Sequence, residues 1–396
     1  MTLREIMDLA SRPGVLSFAI GLPAAELFPR ESLAAAAADI LASDPSCLQY
    51  GPSYQPLKTQ IVQLMALRGV RCTEDQIFLT SGAQQGMDLL AKLLLDPGGQ
   101  VLIEWAVYDG IRLAIQPRHP EILTVSSDPE TGIDVDEVEA LLARGIRPAF
   151  LYLIPDGHNP LGVSLSLESR RRLAGLARRY RMPILEDDAY GFLYYGEEPP
   201  PPLRACEEEW VYYLGSFSKI LAPSLRAGWV VVPPALAARL SPLKQGADID
   251  TPSFGHRAVS AWLAAGHLPA QLEVLRAEYR RRRDAMLAAL REHFPPEVRW
   301  NLPASGMFVW VELPEGVDAA ALLQTAVATE KVAFSPGVAL CAGDPRHGSR
   351  CLRLSFTNLS PERIEEGIRR LARVVRGVKG QAGLDSPSPS GEGARG

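Results

Sequence analysis

Between residues 76 and 231 the chain alternates short apolar, β-rich runs with helical patterns, and this limits its fold more than any other feature. "QIFLT" leads into "SGAQQGMDLLAKLLL", and "QVLIEW" into "YDGIRLAIQ". "EILTV" precedes "DVDEVEALLARG", and "PAFLYLIP" is followed after a loop by "SLESRRRLAGLARRY". "PILEDDAY", "WVYYLGSFSK" and "AGWVVVP" complete the series. Strand-helix-strand units return each strand in the same direction, so an α/β fold with a mostly parallel sheet of about seven strands is expected. A chain of 396 residues exceeds one ordinary core, which predicts a second, smaller domain. After about residue 290 the pattern changes to "VRWNLPASGMFVWVELP", a helix, "CLRLSFTN" and a last helix, a smaller α+β unit. The expected division is an N-terminal segment at 1–40 packing with the small domain, a large domain at 41–290, the small domain at 291–378 and a tail at 379–396. The tail "GQAGLDSPSPSGEGARG" is rich in Gly, Ser and Pro and reads as disordered, because such a composition buries no core.

A formal charge of −5 argues against nucleic acid as the main partner, since neutralising phosphates needs clustered positive charge. The one basic run, "RAEYRRRRDAML", carries apolar residues at helical spacing and reads as the solvated face of a long helix. The five cysteines form no CxxC pair and the six histidines no HxxxH or HExxH spacing, so no metal site is expected. No apolar run reaches membrane-spanning length and the N-terminus lacks a signal-peptide core, so no membrane association and a cytoplasmic location are expected.

Polar and special residues gather at the C-terminal ends of the expected strands, where open α/β sheets bind ligands. In "TSGAQQG", Gly82 and Ala83 would let backbone approach an anion at a helix N-terminus, although an N-cap by Ser81 explains the stretch as well. In "PDGHNPLG", Asn159 precedes a proline and sits in an extended turn, either aimed at a ligand or as an ordinary Asx-type turn. "LEDDAYGFLYY" ends a buried strand with three acids, of which Asp187, with Tyr190 three residues on, could reach one ligand; a structural salt bridge is the alternative. "GSFSKILAPSLR" sets Ser216, Ser218, Lys219 and Arg226 within eleven residues of a strand end. An amine that forms an imine, beside hydroxyls and a permanently charged guanidinium that hold phosphate, suits a phosphorylated aldehyde.

With these stretches in view, the chain resembles the class I/II pyridoxal-phosphate aminotransferases of fold type I, nearest the α-aminoadipate, kynurenine and multisubstrate subgroup. "GSFSKILAPSLRAGW", "LEDDAYGFLYY", "HNPLG", "CLRLSF" and "LSFAIGLPAAELFP" carry the resemblance, which runs from about residue 3 to 376. It implies that Lys219 forms the Schiff base with pyridoxal 5′-phosphate and shuttles the proton. Asp187 would pair with the ring nitrogen and keep it protonated. Tyr190 and Asn159 would hold the ring's phenolic oxygen, and Tyr108, in "EWAVYDG", would stack on the ring. Gly82, Ala83, Gln84, Ser216, Ser218 and Arg226 would form the phosphate cup. Tyr50, in "LQYGPS", would reach the phosphate of a partner subunit, implying a homodimer with shared active sites. Arg353 would clamp the substrate carboxylate with Asn159. Gly21, in "FAIGLP", would lie beside the substrate, and Arg4 matches an arginine that meets acidic side chains in some relatives. The implied reaction moves an amino group between an L-amino acid and a 2-oxo acid by a ping-pong cycle. Glutamate/2-oxoglutarate would be one pair, with an aromatic, aliphatic or aminoadipate-like partner.

The chain departs from the family pattern mainly near the expected substrate. Ile20 stands where a second glycine is usual, Asp156, Gly157 and His158 replace a small-aromatic-Gln run, and Leu161 replaces threonine. Ser224 replaces a glycine, the loop after Tyr50 is about two residues short, and the chain starts late. No catalytic group is lost. A second enzymatic reading keeps the cofactor and changes the bond broken, to β-elimination, decarboxylation or oxidation. A third, the sensor half of a transcription regulator, needs a basic DNA-binding domain ahead of a fold that here begins by residue 3.

Overall fold

One edge of the sheet apart, where Glu121 and Ile122 are exposed, the strands form on apolar runs that are buried on both faces. In the structure, a computed structural model that describes residues 3–249 and 253–382, they are β1 (Ile77–Thr80), β2 (Gln100–Glu104), β3 (Glu121–Val125), β4 (Leu151–Leu153), β5 (Ile184–Asp187), β6 (Val211–Ser216) and β7 (Gly228–Val231). Val101, Leu102, Ile103, Leu151, Ile184, Leu185, Val230 and Val231 are fully buried, as continuous apolar strands in a two-sided layer must be. The spatial order is β1-β7-β6-β5-β4-β2-β3. All neighbours are parallel except β7, which runs antiparallel to both β1 and β6. From β2 the chain steps out to β3 at one edge and returns to β4 on the other side of β2, so a crevice opens at the carboxyl ends of β2 and β4.

The covering helices start where the sequence supplies caps. Asp134 accepts from the Glu137 amide at the start of Val135–Ala143, and Ser166 from the Ser169 amide at the start of Leu167–Tyr180. The helix Ala83–Leu94 differs: its N-cap is Gly82, with φ 83° and no capping side chain, so its first turn is left to face a ligand.

A second sheet has the order β8 (Arg299–Trp300), β9 (Phe308–Glu312), β11 (Cys351–Ser355) and β10 (Ser335–Pro336), all antiparallel. The N-terminal segment joins this part of the molecule: Leu16–Ser17 pair in parallel with Val332–Ala333, and the Ser355 amide donates to Phe18 O. The helix Leu268–His293 links the two sheets. Its basic run is only partly a solvated face, because Arg282 is buried and binds Glu26, Glu278 and the Thr357 carbonyl. Long arginine stems pack along apolar surface while the head finds acceptors, so an Arg run can fasten segments together. The last helix, Pro361–Ala382, continues past the boundary expected at residue 378, and residues 383–396 of the expected tail lie outside the described residues.

Candidate active site

A cavity of about 310 Å³ opens at the carboxyl ends of the large sheet. Of the residues singled out from sequence, Gly21, Ala83, Gln84, Tyr108, Asn159, Asp187, Tyr190, Ser216, Ser218, Lys219, Arg226 and Arg353 all line it. They come from chain positions as far apart as Gly21 and Arg353, so the convergence is a property of the fold.

Lys219 follows β6, and its Nζ donates to the Gly21 carbonyl at 3.0 Å. Burial, helped by the Arg353 guanidinium and opposed by Asp187, brings its amine down to about 8. Gly21 is required where it stands: a Cβ there would lie 2.4 Å from Phe308 Cζ. At the end of β5, Asp187 accepts from the Tyr152 hydroxyl at 2.7 Å through Oδ2, while Oδ1 is buried without a partner. Burial pushes the Asp187 carboxyl up to about 6; the Tyr152 hydrogen bond and Lys219 oppose the rise, and Asp188 adds to it. Burial likewise raises the Tyr190 and Tyr108 hydroxyls above their ordinary value, so both are donors at neutral pH.

Arg353 lies on β11, directly opposite Ser335 on β10. Its Nη1 donates to Asn159 Oδ1 at 2.6 Å, and its Nη2 to the Ala19 carbonyl at 2.6 Å and to Ser335 Oγ at 3.2 Å. The guanidinium carbon stands 4.4 Å from the centroid of the Phe308 ring, whose edge-to-face contact with Tyr190 has a centroid distance of 6.0 Å. Burial lowers Arg353 to about 10, which leaves it cationic at neutral pH.

At the cavity's other end, Arg226 adopts the left-handed conformation (φ 50°) and its Nη2 donates to the Ser81 carbonyl at 2.6 Å. Gly82 lies behind it: a Cβ on Gly82 would be 2.7 Å from Arg226 Nη2. Ser81 is not the cap of the following helix; its amide instead donates to Gln85 Oε1. Gln84 Nε2 donates to the Gly110 carbonyl, and the Ser218 amide to Ser216 Oγ.

Three expected residues do not line this cavity: Gly82, which backs Arg226, and Tyr50 and Arg4, which lie apart from it. Tyr50 is 75% exposed on the loop ahead of Gln55–Leu67. Arg4 points to solvent on Leu3–Ala10, while Met7, one turn on, reaches the cavity wall. Among the departures, Ile20 lines the cavity but Asp156, His158 and Leu161 do not. Asp156 is fully buried between Arg170 and Arg68, at 2.6 and 2.9 Å. His158 Nδ1 accepts from the Leu161 amide, so its Nε2 donates to Glu104 Oε2 at 2.9 Å. The altered turn is thus braced by buried charges rather than offered to a substrate. Sequence reasoning passed over Tyr152, Ile154, Phe308, Ser335 and Leu340. Strand parity held a signal for Ile154, which shares a face with Phe150 and Tyr152.

A sequence profile of the class I and II aminotransferases matches residues 13–371. The chain belongs to this family. It is 42% identical over 384 residues to the 2-aminoadipate transaminase of Thermus thermophilus, covering 95% of this chain and 94% of that protein. It is 37% identical over 383 residues to aromatic-amino-acid aminotransferase 1 of Thermococcus litoralis, covering 94% and 91%. Among solved structures, the α-aminoadipate aminotransferase of Thermus thermophilus in complex with N-(5′-phosphopyridoxyl)-L-leucine superposes with a TM-score of 0.88 at 41% identity, over 96% of each chain. The kynurenine aminotransferase of Pyrococcus horikoshii gives 0.90 at 34% identity, over 95% of this chain and 94% of that one. The protein is therefore a fold-type I aminotransferase, and pyridoxal 5′-phosphate is its cofactor. The residues present fit that group: a buried amine with a lowered pKa, a carboxylate oxygen left unpartnered, and a glycine-backed arginine at an uncapped helix N-terminus.

Proposed function

We propose that the protein moves an amino group between an L-amino acid and a 2-oxo acid by a ping-pong cycle, with glutamate/2-oxoglutarate as one pair and an aromatic, aliphatic or aminoadipate-like partner. The observation that carries this reading is that Lys219, the open oxygen of Asp187 and the Arg353–Asn159 pair meet in one cavity. When bound, the cofactor supplies an aldehyde for the amino group and a ring that takes up the electron pair left at the substrate's Cα. Lys219 would hold the aldehyde carbon, and its Nζ would carry the proton away from Cα. An amine titrating near 8 has a usable neutral fraction at pH 7, which a surface lysine lacks. Asp187 Oδ1 would hold the protonated ring nitrogen, Tyr190 and Asn159 the phenolic oxygen, and Tyr108 one face of the ring. Gln84, Ser216, Ser218, Arg226 and the helix N-terminus after Gly82 would bind the phosphate. Arg353 would orient the substrate through its α-carboxylate, with Asn159 already fixed on Nη1.

We further infer a homodimer in which Tyr50, exposed on one chain, reaches the site of its partner. The five free cysteines support a reducing, cytoplasmic setting. Borohydride reduction of the cofactor-loaded protein, then peptide mass spectrometry, tests the central assignment. The pyridoxyl mass should fall on the 205–226 tryptic peptide, uncut at Lys219. The same mass on a different lysine, with Lys219 cut normally, would refute it. Sedimentation together with Tyr50→Phe tests the dimer: a monomer, or unchanged cofactor affinity in the variant, rejects the shared site.

A further inference from the structure

Tyr152 sits on β4 in register with Leu185 of β5, and Leu185 and Asp187 face the same side of the sheet. The ring of Tyr152 is buried, and its hydroxyl donates to Asp187 Oδ2 at 2.7 Å. That bond occupies one carboxylate oxygen and leaves Oδ1 as the unpartnered atom. Five groups face this carboxylate. They are Tyr152 from β4, Asp188 just past the end of β5, Tyr190 from the turn that follows, Tyr108 ahead of Asp109–Ile115, and Lys219 from the turn after β6. Of these, only Tyr152 donates a hydrogen bond to it in the structure.

We propose that Tyr152 is a positioning residue for Asp187, fixing the carboxylate by Oδ2 so that Oδ1 is presented to the cofactor's ring nitrogen. Without that anchor the carboxyl could turn about its terminal torsion, which is broad for aspartate. The hydroxyl also favours the ionised carboxylate, which is the form that keeps a ring nitrogen protonated. Burial raises the Tyr152 hydroxyl well above its ordinary value, so it remains a donor throughout the working pH range. The inference rests on the reading of Asp187 as the ring-nitrogen partner, and the test separates the two.

Tyr152→Phe removes one oxygen and keeps the buried ring, so the packing of β4 is retained. Apoenzyme is titrated with pyridoxal 5′-phosphate in wild type, Y152F, D187N and the double variant. In parallel, the infrared band of the protonated Asp187 carboxyl, identified by its loss in D187N, is followed against pH. We expect Y152F to weaken cofactor binding about tenfold, as loss of a bond to a charged group should. We expect its Asp187 midpoint to rise above that of wild type, and the double variant to bind no worse than D187N alone. Y152F that matches wild type in both affinity and midpoint overturns the proposal, provided D187N binds weakly. An equal penalty from Y152F in the D187N background also overturns it, because Tyr152 would then act through packing alone. D187N binding as tightly as wild type would remove the reading of Asp187 and the proposal together.

Discussion

Arg353 and Asn159, 194 positions apart in sequence, are joined by a 2.6 Å hydrogen bond from Nη1 to Oδ1 inside the cavity. The bond ties β11 of the small sheet to the turn after β4 of the large one. A ligand taken by the guanidinium would therefore lie beside the turn that carries Asn159.

Arg353→Lys keeps the charge but loses the fork that serves Asn159, Ala19 and Ser335 together. The expected result is a drop in kcat/KM of about a hundredfold or more, mostly in KM, with pyridoxal phosphate affinity changed less than about threefold. Steady-state kinetics and a cofactor titration check both.

Gly82→Ala places a Cβ 2.7 Å from Arg226 Nη2 at a residue with φ 83°. Arg226 must move, and the strained backbone adds about 1 kcal/mol of destabilisation. Cofactor affinity should fall about tenfold or more, with substrate KM little changed in cofactor-saturated enzyme. Fluorescence titration of apoenzyme measures it.

Lys219→Met should stabilise the apoenzyme. The folded pKa of about 8 lies below the unfolded value near 10.4, so the unfolded chain binds more protons between these limits. The burden of burying the ammonium is thus full below pH 8 and disappears as pH rises past about 10.4. After allowance for the bond to the Gly21 carbonyl, a gain of about 1–2 kcal/mol at pH 7 is expected, shrinking toward pH 10. Denaturant melts at several pH values read both the size and the slope.

Asp156→Asn leaves Arg68 and Arg170 short of a buried counter-charge, and should destabilise the protein by about 3–5 kcal/mol. Because Asp156 does not line the cavity, the preference among amino acids should be unchanged. A substrate panel run beside a melting curve distinguishes this bracing role from a substrate contact.

The sheet was legible because most of its strands are apolar on both faces and alternate with helical patterns, as strands of a helix-covered layer do. The cavity-lining side chains Lys219, Asp187 and Asn159 were legible because they stand at strand ends among special residues such as Gly and Pro. Their supporting residues were not. Tyr152 reads as one more apolar strand residue, and only the pairing with β5 shows that its hydroxyl meets Asp187. Phe308 and Ser335 enter through a second sheet whose approach to the first no local pattern encodes. The "PDGHNPLG" substitutions look like substrate contacts in sequence, because loops at strand ends usually are. Burial shows instead that Asp156 and His158 turn inward to Arg68, Arg170 and Glu104.

The most direct single measurement is the half-reaction. Protein loaded with one pyridoxal phosphate per chain is mixed with L-glutamate in the absence of any 2-oxo acid. One equivalent of 2-oxoglutarate and one of pyridoxamine phosphate per chain are expected, with neither product formed by Lys219→Met. Ammonia, carbon dioxide or hydrogen peroxide released repeatedly from L-glutamate or any other amino acid, with no pyridoxamine phosphate accumulating, would contradict transamination.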